Sequence, residues 1–85
     1  MIRNSYSMKE IKIYTTPSCV YCKMTKGFFA KNNVQYQELN VAADLKAREE
    51  MIQKSGQLGV PVTTVDGEVI IGFDQERLSK LLGVK

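Results

Sequence analysis

Residues 14 to 22 read Tyr-Thr-Thr-Pro-Ser-Cys-Val-Tyr-Cys, and this stretch holds both cysteines of the chain, Cys19 and Cys22. Just before it, residues 11 to 15 alternate apolar and polar side chains and then meet a Pro-Ser pair, which predicts a strand that ends in a turn. After the first cysteine, apolar side chains recur at helical spacing, which predicts a helix over residues 20 to 32. The cysteine pair therefore lies where a strand passes into a helix.

The rest of the chain continues with alternating strands and helices. The pattern predicts a strand at residues 34 to 39, a helix at 42 to 54, strands at 62 to 65 and 68 to 71, and a last helix between Asp74 as N-cap and Gly83 as C-cap. Asp66-Gly67 between two β-rich runs is a strong hairpin signal. The order β-α-β-α-β-β-α predicts an α/β domain whose first two strands are parallel, because a helix joins them.

Size and composition indicate one compact domain. The chain has 85 residues, of which 44% are hydrophobic and 25% charged, near the averages for globular proteins. We expect the globular domain to cover residues 9 to 85, after a flexible extension at residues 1 to 8 with little apolar surface to bury.

Charge and the residue types that are missing exclude several functions. The net charge is +3, but both signs are interspersed, so we expect no nucleic-acid partner. Histidine is absent, which removes the usual general base and most zinc ligand sets. No apolar stretch reaches the length of a membrane span and no secretory signal precedes the domain, so we expect a cytoplasmic protein without a membrane partner.

Two cysteines three positions apart indicate redox or metal chemistry in a reducing compartment. A cysteine at a helix N-terminus has its thiolate stabilised by free backbone N–H groups, and Lys23 and Lys26 on the same helix add positive charge. Cys19 is therefore the predicted nucleophile and Cys22 the resolving thiol. A metal site needs two more ligands, which only a dimer or an external thiol could supply, so we expect no metal.

These residues resemble a known family. The string from Tyr14 to Cys22, followed by Gly59-Val60-Pro61 and by Gly72-Phe73-Asp74, is similar to glutaredoxins, in particular to small bacterial and archaeal glutaredoxin-like proteins. The resemblance implies a thioredoxin fold, with a four-stranded mixed sheet in the order 2-1-3-4 and helices on both faces. It also implies that Pro61 is cis and faces Cys19.

The same resemblance implies a substrate groove for an extended peptide or glutathione. Its residues would be the catalytic pair and a set of substrate-binding positions: Thr16, Tyr21, Val60, Pro61, Gly72, Phe73 and Asp74. Thr16 departs from the family pattern, which has a cation there, and Lys23 is a candidate substitute. Asp74 could act as an N-cap alone, and Tyr21 could simply face solvent.

The implied function is a monomeric dithiol disulfide oxidoreductase that reduces protein or glutathione mixed disulfides. It needs no permanently bound cofactor, and glutathione is the expected reductant. One alternative is a redoxin reduced by thioredoxin reductase that donates electrons to ribonucleotide reductase, which Thr16 and the Gly72-Phe73 pair favour. A second alternative is a dimeric module that binds an iron–sulfur cluster or zinc through Cys19.

Overall fold

The computed structural model describes residues 10–83, so the expected extension at residues 1 to 8 lies outside the described part of the chain. The elements follow the expected order: β1 (Ile11–Thr15), α1 (Val20–Lys31), β2 (Gln37–Asn40), α2 (Leu45–Ser55), β3 (Val62–Val65), β4 (Glu68–Ile71) and α3 (Gln75–Leu82). No helix within residues 10–83 is both long enough and apolar enough to cross a bilayer.

The four strands form one sheet in the order β2-β1-β3-β4, which confirms the expected topology. β1 pairs parallel with β2 and antiparallel with β3, and β3 pairs antiparallel with β4. Tyr14 near the end of β1 is in register with Val62 at the start of β3, which in turn pairs with Ile71 at the end of β4. The loop that carries the cysteines, the segment before β3 and the segment after β4 therefore leave the sheet at the same end.

Both faces of the sheet are covered, because alternate residues of each strand point to opposite sides. On one face, Ile13 of β1 packs in a cluster with Phe29 of α1 and Leu78 of α3. On the other face, Tyr14 packs with Met51 of α2. The helix that carries the cysteines is thus fixed on one face, and α2 lies on the other.

The predicted helix ends and turns are largely confirmed. Asp74 caps α3 by accepting a hydrogen bond from the N–H of Arg77 at 3.2 Å, and Gly83 ends that helix. In the hairpin, Asp66 and Gly67 have φ values of 50° and 90°, as a tight turn between β3 and β4 requires.

Two predicted boundaries were wrong. β2 begins at Gln37 and not at residue 34, because the N–H of Val34 donates to the carbonyl of Phe29 in α1 at 2.9 Å, and Val34 and Tyr36 pack against the core. α2 begins at Leu45 and not at residue 42, because Asp44 is its N-cap and accepts from the N–H of Ala47 at 3.1 Å.

Candidate active site

Cys19 occupies the N-cap of α1, directly after the turn that follows β1. Its N–H donates to the carbonyl of Thr16 at 3.3 Å, and its sulfur accepts a hydrogen bond from the N–H of Cys22 at 3.0 Å. The sulfur therefore takes the place that a Ser or Asp oxygen usually fills at a helix start. The positive end of the helix dipole favours negative charge there.

The two cysteines differ in accessibility. Their sulfur atoms are joined in a disulfide, with the Cα atoms 5.2 Å apart. The side chain of Cys22 is buried, whereas Cys19 is half-buried. A molecule that approaches from solvent therefore reaches Cys19 more easily than Cys22.

Pro61 and Gly72 meet at the same end of the sheet. The Val60–Pro61 peptide bond is cis, as the resemblance implies. The N–H of Gly72, which has φ of 75°, donates to the carbonyl of Pro61 at 2.9 Å. By contrast, no backbone hydrogen bond within residues 10–83 engages the N–H or the carbonyl of Val60.

The other predicted binding residues lie in different surroundings. Tyr21 is exposed over 61% of its surface beside the cysteines, and Thr16 is half-buried in the turn before Cys19. Phe73 is half-buried, and one part of its ring packs edge to face against the ring of Phe28 in the core, with ring centroids 6.1 Å apart. Asp74 is exposed, and one of its carboxylate oxygens caps α3.

Exposed apolar side chains lie on two of the three segments that leave this end of the sheet. Val20 and Tyr21 follow Cys19 and are exposed over 67% and 61% of their surfaces, and Leu58 precedes Val60 and is exposed over 60%. Side chains of this size are normally covered, although scattered single examples are common. Here they flank the cysteine and the unpaired backbone of Val60.

Lys26 does not supply a free positive charge, in contrast to the expectation from the sequence. Its ammonium donates to Oε2 of Glu38 at 2.8 Å, and the hydroxyl of Thr15 donates to the same oxygen at 2.8 Å. These hydrogen bonds, that from Lys26 first, hold the pKa of Glu38 below its usual value. Sequence reasoning missed Glu38, since a single acidic residue on a short strand gives no signal of its partner.

A second polar cluster lies on the α2 face of the sheet. The buried hydroxyl of Tyr14 donates to Glu50 at 2.8 Å. Burial and this contact with a carboxylate raise the pKa of Tyr14 well above its usual value, while the hydrogen bond lowers the pKa of Glu50. A groove of about 510 Å³ opens beside this cluster, and none of the predicted site residues lines it.

The chain is similar to known proteins along most of its length. A family model for glutaredoxins matches residues 11–70. The glutaredoxin-like 8.6 kDa protein in the rubredoxin operon of Clostridium pasteurianum is 47% identical over 72 residues, which cover 85% of this chain and 96% of the relative. Glutaredoxin 3 of Escherichia coli is 37% identical over 79% of this chain and 81% of its own. The glutaredoxin-like protein NrdH of Lactococcus lactis is 28% identical over 84% of this chain and 97% of its own.

Solved structures support the same relationship. The crystal structure of the thioredoxin-like protein BC3987 superimposes with a TM-score of 0.81 at 38% identity and covers 85% of this chain and 99% of its own. A glutaredoxin from Archaeoglobus fulgidus reaches a TM-score of 0.79 at 25% identity, over 95% of this chain and 96% of its own. With the cysteine pair at the start of α1, these matches establish that the chain belongs to the glutaredoxin family of thiol-disulfide oxidoreductases.

Proposed function

We propose that the protein reduces disulfides of proteins or of glutathione, with Cys19 as the nucleophile and Cys22 as the resolving thiol. The observation that carries this assignment is the asymmetry of the pair. The Cys19 sulfur lies at the helix start and accepts the N–H of Cys22. Residue Cys19 is half-buried, whereas Cys22 is 1% exposed. A thiolate at a helix N-terminus is the form that attacks a disulfide.

The reaction proceeds in two exchanges. The Cys19 thiolate attacks one sulfur of the substrate disulfide, forms a mixed disulfide and releases the other substrate sulfur as a thiolate, which takes a proton from water. Cys22 then loses its proton and attacks the Cys19 sulfur, and the second substrate thiolate leaves. Two electrons pass to the substrate, and the protein is left with the Cys19–Cys22 disulfide that the structure holds.

The substrate is bound through its backbone beside Val60. An extended chain can add to free main-chain groups in the manner of a further strand. Val60 offers such groups, and the bond from Gly72 to Pro61 fixes the segment that presents them. Tyr21 and Thr16 form the side of the groove near Cys19, while Gly72, Phe73 and Asp74 form the side near α3.

Two reductants are compatible with this groove, glutathione and thioredoxin reductase. Glutathione is the reductant that the family membership favours, and the Asp74 carboxylate is a partner for its ammonium group. In the alternative, the protein is a redoxin that thioredoxin reductase reduces and that donates electrons to ribonucleotide reductase. The uncharged Thr16 favours this alternative, since it provides no cation for a glutathione carboxylate, and so does the similarity to NrdH.

A direct assay separates these two assignments. Reduction of a mixed disulfide is followed with NADPH, glutathione and glutathione reductase, and in parallel with NADPH and thioredoxin reductase alone. Turnover only in the glutathione system supports the glutathione assignment, and turnover only in the thioredoxin reductase system supports the redoxin assignment. The Cys19→Ser variant is the control. If the parent protein is no faster than this variant in either system, the proposed function is wrong.

A further inference from the structure

Three side chains from three elements meet at one oxygen atom. Oε2 of Glu38 in β2 accepts from Nζ of Lys26 in α1 and from Oγ1 of Thr15 in β1, both at 2.8 Å. The side chains of Lys26 and Glu38 are 30% and 39% exposed, so water only partly screens their charges. Thr15 is buried, which fixes one end of the cluster.

This cluster lies at the end of the sheet that carries the cysteines. Thr15 is the last residue of β1, and the turn from Thr16 to Cys19 follows it directly. Lys26 follows Cys19 by seven positions in the sequence, so both lie on the same side of α1. Helical side chains lean toward the N-terminus, which directs the ammonium of Lys26 toward the cysteine end of the helix.

Few charged side chains belong to the elements that converge near Cys19. The segment 57–61 before β3 contains none. Lys12 of β1 lies in the other polar cluster, 3.9 Å from Glu50. On α1, Lys23 and Lys26 lie nearer Cys19 than Lys31, which is in the last turn. β2 carries Glu38, and the start of α3 carries Asp74, Glu76 and Arg77, the last of which pairs with Glu68. Of Lys23 and Lys26, Lys26 forms an ion pair within residues 10–83 and Lys23 forms none there.

We propose that Glu38 is a positioning residue that holds the ammonium of Lys26 and cancels its field at the Cys19 sulfur. This inference rests on the proposed role of Cys19. Two opposite charges 2.8 Å apart act on a more distant group nearly as a neutral unit. Without Glu38 the positive charge of Lys26 is unbalanced, and without Lys26 the negative charge of Glu38 is unbalanced. The two changes therefore shift the apparent pKa of Cys19 in opposite directions. The reactivity of Cys19 is thus set by the helix N-terminus and Lys23, and the Lys26–Glu38 ion pair adds no further shift to the pKa of Cys19.

The test uses the apparent pKa of Cys19, measured from the pH dependence of alkylation by iodoacetamide. All variants carry Cys22→Ser, so that one thiol remains in the chain. Glu38→Gln leaves Lys26 unpaired and should lower the apparent pKa by about half a pH unit, whereas Lys26→Gln should raise it by a similar amount. The double variant should return to the value of the parent.

A matched control is available at the other end of the sheet. Glu68 pairs with Arg77 at 3.0 Å, and Glu68 is in register with Val65, far from the strand ends near Cys19. Glu68→Gln removes the same charge and one ion pair, and we expect no shift in the apparent pKa. Thermal unfolding of each variant shows whether the fold is retained.

Opposite shifts in the two single variants, with restoration in the double variant and no shift in the control, support the proposal. Shifts in the same direction, a double variant displaced further than either single one, or no shift beyond that of Glu68→Gln would overturn it. If Glu38 only stabilised the fold, the double variant would not return to the apparent pKa of the parent. Alkylation needs no disulfide substrate, so loss of the proposed enzymatic function alone leaves this result interpretable.

Discussion

The N–H of Cys22 donates to the sulfur of Cys19 at 3.0 Å, so α1 is capped at its start by the atom that reacts. A cap is normally a stability feature, worth about 1 kcal/mol. Here the same hydrogen bond stabilises a thiolate, because a negatively charged acceptor strengthens it. The stability of the helix start and the reactivity of Cys19 therefore depend on the same contact.

Thr16 provides a test of the reductant. Thr16→Lys restores a cation beside the groove, and it should lower the apparent KM for glutathione-based substrates by roughly 5-fold if a charge-assisted contact forms. The gain should shrink at an ionic strength of several tenths molar, because salt screens an exposed ion pair. Thr16→Met adds length without charge and serves as the control. An unchanged KM at low salt would show that no glutathione carboxylate binds beside this position.

Two glycines allow a paired test of the backbone. Gly72 has φ of 75°, where a Cβ is strained even though an added one would meet no atom within 4 Å. Gly72→Ala should therefore destabilise the protein by roughly 1 kcal/mol. Gly27 lies inside α1 with the same open space, and Gly27→Ala should stabilise by roughly 0.5–1 kcal/mol. Chemical denaturation measures the free energy of unfolding of both variants. Changes of the same sign would contradict the backbone conformation described for one of the two glycines.

Tyr14 gives the stability of the protein a dependence on alkaline pH. Its folded pKa is raised, so the unfolded chain loses this proton first, and stability should fall as the pH rises above about 10. Tyr14→Phe should lose roughly 1 kcal/mol at neutral pH with the hydrogen bond to Glu50, and its stability should fall less steeply in alkali. Urea unfolding at neutral pH and at a pH above about 10 measures the two stabilities, with Tyr21→Phe as an exposed control. Parallel pH profiles for parent and Tyr14→Phe would contradict the assignment.

Features with a strong local cause were predictable from the sequence. Asp74 is a residue type favoured at helix N-caps and stands directly before residues with helical spacing. Asp66-Gly67 favours a tight hairpin turn independently of tertiary contacts. The spacing of Cys19 and Cys22 likewise indicates a redox pair without any tertiary contact. Pro61 differs, because its cis bond was implied by the family resemblance and by nothing in the neighbouring residues.

Features that depend on tertiary contacts were not predictable. Val34 looks like a strand residue but packs against the core before β2 begins, because its N–H donates to the carbonyl of Phe29 in α1. Lys26 was expected to support Cys19 with its charge, and instead it pairs with Glu38. No sequence spacing connects these two residues, because the contact exists only when α1 lies on the sheet.

The central claim, that Cys19 attacks and Cys22 resolves, is tested most directly by trapping the mixed disulfide. Reduced Cys22→Ser and Cys19→Ser are each exposed to glutathione disulfide near pH 6, and the adduct is followed by mass spectrometry. We expect Cys22→Ser to accumulate a glutathione adduct on Cys19, because the second exchange is blocked, and Cys19→Ser to react far more slowly. An adduct that forms on Cys22 in Cys19→Ser as fast as on Cys19 in Cys22→Ser would contradict the assignment.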